Sequence, residues 1–422
     1  MRRRSEEVRS LVATRTVRVG LWSVTVAGSV GLVYFRYHHL QNYIPNRNAN
    51  IGDDFWVFFE AAKAVASGHS PYLTSFGHLG NLYVYSPLVA ILLVPFIHVA
   101  IATAWHWWIL ASIGSMLAAG ALVMKAEGSS HRDWRTPVLL GVIAASSLRF
   151  LPTEIVLENG NTDTFVLAIL AASVLASERG RSTASGALLA LSGVVKSWPW
   201  AAALILLRRH YSGRGRSVVT FISVSLLAPF LALLLGGPSE LAGYLRATLR
   251  ASSQPLISCS VWGAPQALFS RSGLARPLLV STPLRMIATL VFLCWVVGVL
   301  ALCLRSSSST RLSLWNVVGC VVLLLPVSHA DYTIYVLPIL WIWVARALTK
   351  NRFFSRESLV TGLLVLWWFS LFPSAFFTWL TSAPALSVEV PFIANLMAVT
   401  ISVVGDLLLT GDRPLSGGLQ LA

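Results

Sequence analysis

Ionisable side chains occur in three short polar clusters of an otherwise apolar sequence. The first contains Asp53 and Asp54, which stand side by side before an aromatic run. The second is Lys196, in the middle of an apolar segment, and the third contains His329 and Asp331 between two apolar runs. Carboxylates, an ammonium and an imidazole together can move a proton and stabilise a developing negative charge. Group-transfer chemistry is therefore within reach of this set.

The aspartate pair has two interpretations. Either Asp53 or Asp54 can cap the helix predicted after it, because a short acceptor side chain satisfies free backbone N–H groups. One face of that helix has the spacing typical of an amphipathic helix lying flat on a membrane. In the second interpretation one carboxylate is a general base at the membrane–water boundary, where a water-borne hydroxyl meets a lipid-borne leaving group. The apolar face consists of Phe55, Phe58, Phe59, Ala62 and Val65.

The elements that must position these residues are predicted to be membrane spans. The chain has 422 residues, of which 55% are hydrophobic and 12% charged, and its mean hydropathy is +0.70. Soluble domains carry about 25% charged residues, so a soluble protein is excluded. About twelve apolar segments predict an all-α polytopic membrane protein. These segments are 19–37, 86–101, 104–124, 137–151, 162–177, 184–207, 217–236, 286–304, 312–326, 332–347, 359–379 and 392–410.

The net charge of +15 comes mostly from arginines in short loops between the apolar segments. This distribution is typical of the cytoplasmic side of a membrane protein, and no nucleic-acid partner is expected. The arginine-rich N-terminus is predicted to be cytoplasmic. Alternation of the spans then places two long loops, 38–85 and 237–285, outside. We expect a single membrane domain over residues 1–422.

Lys196 is costly in lipid and cannot easily reach either membrane surface. It is therefore predicted to face a cavity or an anionic partner, and Asp163 and Glu158 are the candidate partners. Pro199 is expected to break the helix at this level, because proline lacks the backbone N–H that a helix interior needs.

Two further polar stretches have structural as well as functional interpretations. Asn161 or Thr162 can simply cap the helix that follows, or Asn161 can contribute to a site. His329 can be an ordinary interface histidine, or it can carry a proton or contact a phosphate. If segments 137–151 and 162–177 are half-helices that meet in a cavity, the connector 152–161 belongs to the site.

Taken in order, these residues resemble glycosyltransferase family 87, polytopic enzymes of the GT-C class. The family includes bacterial mannosyltransferases and an arabinofuranosyltransferase of cell-envelope synthesis. The resemblance rests on an acidic residue after the first span and on three short motifs. These motifs are Gly68-His-Ser-Pro-Tyr72, Tyr85-Ser-Pro-Leu88 and Lys196-Ser-Trp-Pro199.

The sequence departs from the family pattern at two places. Asn161 matches the family's Gly-Gln-x-Asn motif, but the glutamine is absent. Ser328 matches a Pro-x-Ser motif, whereas the place of the family's histidine pair falls on Asp331 and Tyr332, and His329 is offset.

The resemblance implies transfer of a sugar, with inversion, from a polyprenyl phosphate to a hydroxyl of a glycolipid or glycan outside the plasma membrane. Asp54 is expected to be the catalytic base, with Asp53 as the second choice. At its usual pKa it would take the proton late, in concert with bond formation. The resemblance further implies donor-phosphate ligands, Lys196 and His329, and substrate-binding residues, Asn161, Asp331, Tyr332 and Tyr85.

Neither a metal nor another cofactor is expected, since a lipid monophosphate leaving group does not require one. Apart from the two substrates, the expected partners are membrane lipids. Mannose is the commoner donor in the family, so a hexosyltransferase using mannose is expected.

Two alternatives remain. The Asp53-Asp54-Phe55 string and the missing histidine pair are also similar to the arabinofuranosyl branch. A transporter or lipid flippase could use Lys196, Asp163 and Asp331 as a coupling site, although no inverted repeat is visible.

Overall fold

The computed structural model of the chain is built from α-helices and short 3-10 helices. It describes residues 2–45, 52–72, 83–128, 133, 135–208, 211, 213–251, 258–271, 277–306, 310–349, 355–371 and 386–411. Within these ranges no β-strand occurs, which confirms the predicted all-α class.

Sixteen α-helices are present in the described ranges, and three 3-10 segments interrupt them: Val94–His98, Trp198–Leu207 and Ala330–Val336. The α-helices are α1 (Arg2–Gln41), α2 (Asp53–Ala66), α3 (Pro87–Leu93), α4 (Ile101–Ala126), α5 (Arg135–Leu148), α6 (Leu151–Asn159), α7 (Asp163–Glu178), α8 (Ser182–Val195), α9 (Arg214–Ser225), α10 (Leu227–Ala251), α11 (Gly263–Phe269), α12 (Thr282–Arg305), α13 (Thr310–Leu324), α14 (Leu337–Thr349), α15 (Arg356–Ser370) and α16 (Leu386–Gly411).

Six stretches of the described chain are long and apolar enough to cross a membrane, and α5 with α6 makes a seventh if this pair, bent by 62°, is one span. The chain is therefore a multi-pass membrane protein, but the predicted number of about twelve spans is not confirmed. Several predicted segments are instead shorter apolar helices. The six stretches are Arg15–Gln41, Ile101–Ala126, Arg214–Leu249, Thr282–Arg305, Ala330–Thr349 and Val390–Leu409.

The predicted segment 184–207 is broken at the lysine itself. Helix α8 ends at Val195, and Lys196 has an extended backbone with φ −142° and ψ 122°. The chain resumes as the 3-10 segment from Trp198, with Pro199 in its first turn. Pro199 has no N–H to donate to the Val195 carbonyl, and its ring would clash with that carbonyl in a continuous helix, so α8 ends at Val195.

The connector 152–161 is also mostly helical, because α6 occupies it as far as Asn159. The predicted outer loops contain helices too. Helix α2 lies in 38–85, and the end of α10, all of α11 and the start of α12 lie in 237–285.

The interior is formed where α4 packs along α7 and α7 along α8, with α13 and α14 beside them. Two fully buried tryptophans of this interior satisfy their N–H groups. Trp341 Nε1 donates to Ser146 Oγ at 2.9 Å, and Trp343 Nε1 donates to Ser402 Oγ at 3.0 Å. By contrast, none of the membrane-crossing window of α1 is buried in the protein, as expected for a helix facing lipid.

The interfacial position predicted for α2 is not confirmed, because its apolar face packs on protein. The ring of Phe55 lies 5.4 Å from that of Trp105, and the ring of Phe58 lies 4.6 Å from that of Tyr85. Phe55 and Phe58 have no exposed surface. The partner of this face is the aromatic surface of α4 and the entrance of α3.

Candidate functional site

Helix α2 carries Asp53 and Asp54 in its first turn, but neither caps it. The N-cap is Gly52, whose φ of +76° lies in the left-handed region, and no side chain caps the helix. The prediction of an acidic cap is therefore wrong. The Gly52 N–H instead donates to the carbonyl of Glu158 at 2.6 Å. This bond ties the start of α2 to the end of α6.

Gly160 makes a second close contact between these elements. Its φ is +71°, and a Cβ at this position would lie 2.7 Å from Phe55 Cβ and 2.7 Å from the Trp105 ring. Trp108 Nε1 donates to the Gly160 carbonyl at 2.9 Å. Only glycine combines this conformation with so close an approach. The turn that leads into Asn161 is thereby fixed against the helix that carries Asp54.

Lys196 forms a buried ion pair with Asp163. Its ammonium lies 2.7 Å from each carboxylate oxygen of Asp163 and 3.2 Å from Asn161 Oδ1. The Tyr335 hydroxyl donates to Asp163 Oδ1 at 2.6 Å. Lys196 was predicted to face either a cavity or an anionic partner; the structure shows an anionic partner, and of the two candidates it is Asp163. Glu158 lies elsewhere, 3.6 Å from His39 Nε2.

Asn161 joins four other groups through its side chain. Its Oδ1 accepts hydrogen bonds from the Tyr85 hydroxyl at 3.2 Å and from the Thr162 N–H at 2.6 Å, in addition to Lys196. Its Nδ2 donates to Asp331 Oδ2 at 3.5 Å. The structure thus brings together Tyr85, Asn161, Lys196 and Asp331, which the sequence had selected from four separate stretches.

Aromatic rings surround the ammonium. Lys196 Nζ lies 4.2 Å from the ring centroid of Tyr332, a distance at which a cation is attracted to the ring face. Trp198 stacks on Tyr332 at 5.8 Å and meets Tyr335 edge-on at 4.6 Å. Trp198 and Tyr335 were missed by the sequence analysis. The three-residue spacing of Tyr332 and Tyr335, one helical turn, was the signal available for Tyr335.

Asp54 is within electrostatic reach of this cluster. Its side chain is half-buried, and it accepts no hydrogen bond from the described residues. Burial raises the pKa of Asp54 to about 7; the Lys196 charge lowers it, while Asp331 and Asp53 raise it. The expectation of a usual aspartate pKa is therefore wrong. A carboxylate with a pKa near neutrality suits a general base.

His329 lies at the edge of the cluster. Its side chain is exposed, and its ring lies 5.9 Å from the Tyr332 ring in an edge-to-face contact. Asp331, two residues later, is only 4% exposed. In the described part of the chain no group of three or more histidine, cysteine, aspartate or glutamate side chains is arranged to hold a metal ion.

The arrangement combines a carboxyl group whose pKa is raised to about 7, a buried ammonium paired with an acid, and hydroxyl and aromatic groups around them. Such a set can take a proton from a hydroxyl and stabilise negative charge in a partly dry site.

A comparison with protein families agrees with this chemistry. The sequence model of glycosyltransferase family 87 matches residues 83–328, more than half of the chain. The matched range contains Tyr85, Asn161 and Lys196, whereas Asp54 lies before it and Asp331 just after it. A search of curated proteins finds no match.

Proposed function

The chain belongs to glycosyltransferase family 87, and from this premise we propose that it transfers a hexose, specifically mannose, from a polyprenyl phosphate to a hydroxyl of a glycolipid or glycan. The reaction takes place on the extracytoplasmic side of the plasma membrane. The observation that carries the proposal is Asp54, an enclosed carboxylate without a hydrogen-bond partner among the described residues and with a pKa of about 7.

In the proposed reaction Asp54 takes the proton of the acceptor hydroxyl. The acceptor oxygen forms a bond to the anomeric carbon, the bond from that carbon to the phosphate oxygen breaks, and its electron pair stays on the phosphate. A single carboxylate suffices when the configuration inverts, since only the acceptor proton must be removed. Asp53, in the same turn, is the second choice for this role.

Lys196 supports the departure of the phosphate without leaving Asp163. An ammonium has three protons, and Asp163 and Asn161 already accept from it. We propose that a phosphate oxygen replaces Asn161 Oδ1 as an acceptor while the pair with Asp163 persists. His329, exposed at the edge of the cluster, contacts the same phosphate. Charge stabilisation of this kind is strongest where water is excluded.

An apolar cavity supports a lipid-linked donor. It has a volume of about 330 Å³ and lies between the 3-10 segment Trp198–Leu207, α9 and α10. Tyr244 lines it, the Tyr244 ring lies 5.8 Å from that of Tyr72, and the Tyr72 hydroxyl donates to the Tyr85 carbonyl at 2.9 Å. We propose that the isoprenoid tail occupies this groove. Its other walls include Trp200, Phe221, Ile222, Leu226 and Pro229.

Sugar transfer by the purified full-length protein in detergent tests the proposal. Polyprenyl-phospho-mannose and polyprenyl-phospho-arabinose are offered separately, with a membrane glycolipid extract as the acceptor. Transfer of mannose is expected, and Asp54→Asn should reduce kcat by roughly 10²–10⁴-fold.

The matched control is Glu60→Gln on the same helix, because this carboxylate is 2.7 Å from Lys63 Nζ and outside the cluster. If Asp54→Asn is as active as Glu60→Gln, Asp54 is not the base, and the role would be assigned to Asp53. Transfer of arabinose alone would support the arabinofuranosyl alternative. No transfer from either donor, in an extract that supports transfer by native membranes, would favour a transporter.

A further inference from the structure

Only one of the two carboxylate oxygens of Asp331 accepts a hydrogen bond from the described residues. Its Oδ2 accepts from Asn161 Nδ2. Its Oδ1 is buried and has no hydrogen-bond partner in the described part of the chain. A buried carboxylate oxygen without a donor is costly, and the cost is removed when a ligand supplies one. Asp331 therefore lacks one hydrogen-bond donor that a substrate can bring.

The two nearby basic side chains, Lys196 and His329, do not donate a hydrogen bond to this oxygen in the structure. The ammonium of Lys196 is engaged by Asp163 and Asn161. His329 is exposed, and its observed contact is with the ring of Tyr332.

The chemistry of Asp331 distinguishes between the two parts of a sugar phosphate. An ionised carboxylate only accepts hydrogen bonds, and a phosphate offers mainly acceptors and further negative charge. A sugar hydroxyl, by contrast, is a neutral donor. The free oxygen of Asp331 thus suits the sugar and not the phosphate.

The backbone just before Asp331 is hydrogen-bonded to segment 258–261, which lies outside the candidate membrane spans. The Ser328 N–H donates to Ser258 Oγ at 2.8 Å, and the Cys259 N–H donates to the Ser328 carbonyl at 2.5 Å. The Val261 N–H donates to the Leu323 carbonyl at 2.9 Å. Segment 258–261 therefore holds the approach to Asp331 in place. A recognition group that is already ordered spends little binding free energy on reorganisation.

We infer that Asp331 accepts a hydrogen bond from a hydroxyl of the donor sugar and so determines which sugar is transferred. This inference rests on the proposed function. Asp331 lies just beyond the stretch that the family model matches. A site that hydrogen-bonds a substrate hydroxyl rejects the analogue that lacks it, because the protein group is then left unpaired.

The test compares the wild type with Asp331→Asn on polyprenyl-phospho-mannose and its monodeoxy analogues, or on the arabinose series if that is the sugar the wild type transfers. An asparagine retains the volume and an oxygen for Asn161 Nδ2. With the wild type, one deoxy analogue should lose about 10- to 100-fold in kcat/KM, as expected for a hydrogen bond to a charged group. In Asp331→Asn, kcat/KM for the natural donor should fall by a similar factor. In this variant, kcat/KM for that deoxy analogue should no longer be lower than kcat/KM for the natural donor.

Three outcomes overturn the inference. If kcat/KM of Asp331→Asn falls by the same factor for every donor, Asp331 has a structural role. If kcat/KM is unchanged for every donor, Asp331 has no role in transfer. In the third outcome, EDTA abolishes transfer by the wild type and Mg²⁺ restores it, while Asp331→Asn stays defective at every Mg²⁺ concentration. This result would show that the free oxygen of Asp331 binds a metal ion. Absence of transfer by the wild type itself counts against the proposed function, which separates that failure from the others.

Discussion

Both carboxylate oxygens of Asp163 lie 2.7 Å from the ammonium of Lys196. Asp163 has no exposed surface and Lys196 is 7% exposed. The charge of the lysine is therefore held by an acid at the first turn of α7, and not by water. The cation that the sequence suggested for a phosphate is part of a neutral pair before any substrate arrives.

Asp163→Asn should destabilise the protein by roughly 3–5 kcal/mol, because removal of one partner leaves a buried charge uncompensated. Thermal unfolding in detergent measures this, with Lys196→Met and the double variant alongside. The double variant should be more stable than the sum of the two single losses predicts. Strictly additive losses would show that the two charges are not coupled.

Transfer should require the ionised form of Asp54. Burial raises the pKa of this carboxyl to about 7, so kcat/KM should rise with pH up to neutrality and level off above it. Below pH 7 it should fall roughly tenfold per pH unit. The check is a profile between pH 5.5 and 8.5 on wild type and Glu60→Gln. A profile that stays flat down to pH 5.5 would contradict the raised pKa.

The same pKa predicts a pH-dependent stability. The folded state binds the Asp54 proton more tightly than the unfolded state, so this contribution to stability is full at low pH and is lost as the pH rises to about 7. Asp54→Asn should therefore gain stability relative to the wild type between pH 5 and pH 8, by about 2–3 kcal/mol. Unfolding at both pH values measures the gain, and Glu60→Gln should show none.

Gly160→Ala should impair both folding and transfer. Its Cβ would meet Phe55 and Trp105 at 2.7 Å in a left-handed conformation, and overpacking with backbone strain costs roughly 2–4 kcal/mol. The matched control is Gly114→Ala, where a Cβ meets nothing within 4 Å. Equal unfolding temperatures for the two variants would show that the close approach is not needed.

The apolar groove predicts a dependence on the donor lipid. Leu226→Trp should raise KM for a long-chain polyprenyl donor several-fold. The rise in KM should be smaller for a donor with a short isoprenoid, because a short chain does not reach into the groove. Leu290→Trp is the control, since Leu290 on α12 is 60% exposed and Leu226 is 59% exposed. The same change for both donors would place the tail elsewhere.

Much of the site was predictable because its residues are costly in lipid. Lys196 and Asp331 could be selected on this ground, and the pairing of Lys196 with Asp163 was among the options. The partner of α2 was not predictable, since the same apolar periodicity serves a face against lipid and a face against Trp105. The predicted number of spans is not confirmed, because several of the predicted segments are short apolar helices whose hydropathy is similar to that of a full span. The raised pKa of Asp54 depends on enclosure by residues distant in sequence, which no local pattern reports.

The bond from Gly52 to Glu158 and the contact of Gly160 with Phe55 have a consequence for chimeric enzymes. The family match begins at Tyr83, after α2, yet α2 carries Asp54 and also Phe58, whose ring packs on that of Tyr85. The functional unit is thus discontinuous along the chain. A crossover between residues 72 and 83 would combine the proposed base, Asp54, of one parent with the Tyr85, Asn161 and Lys196 cluster of another. If the two parents differ in the contacts between α2 and the Gly160 turn, the chimera would keep the whole stretch that the family model matches. Its Asp54 would nevertheless be displaced from the Asn161 and Lys196 cluster.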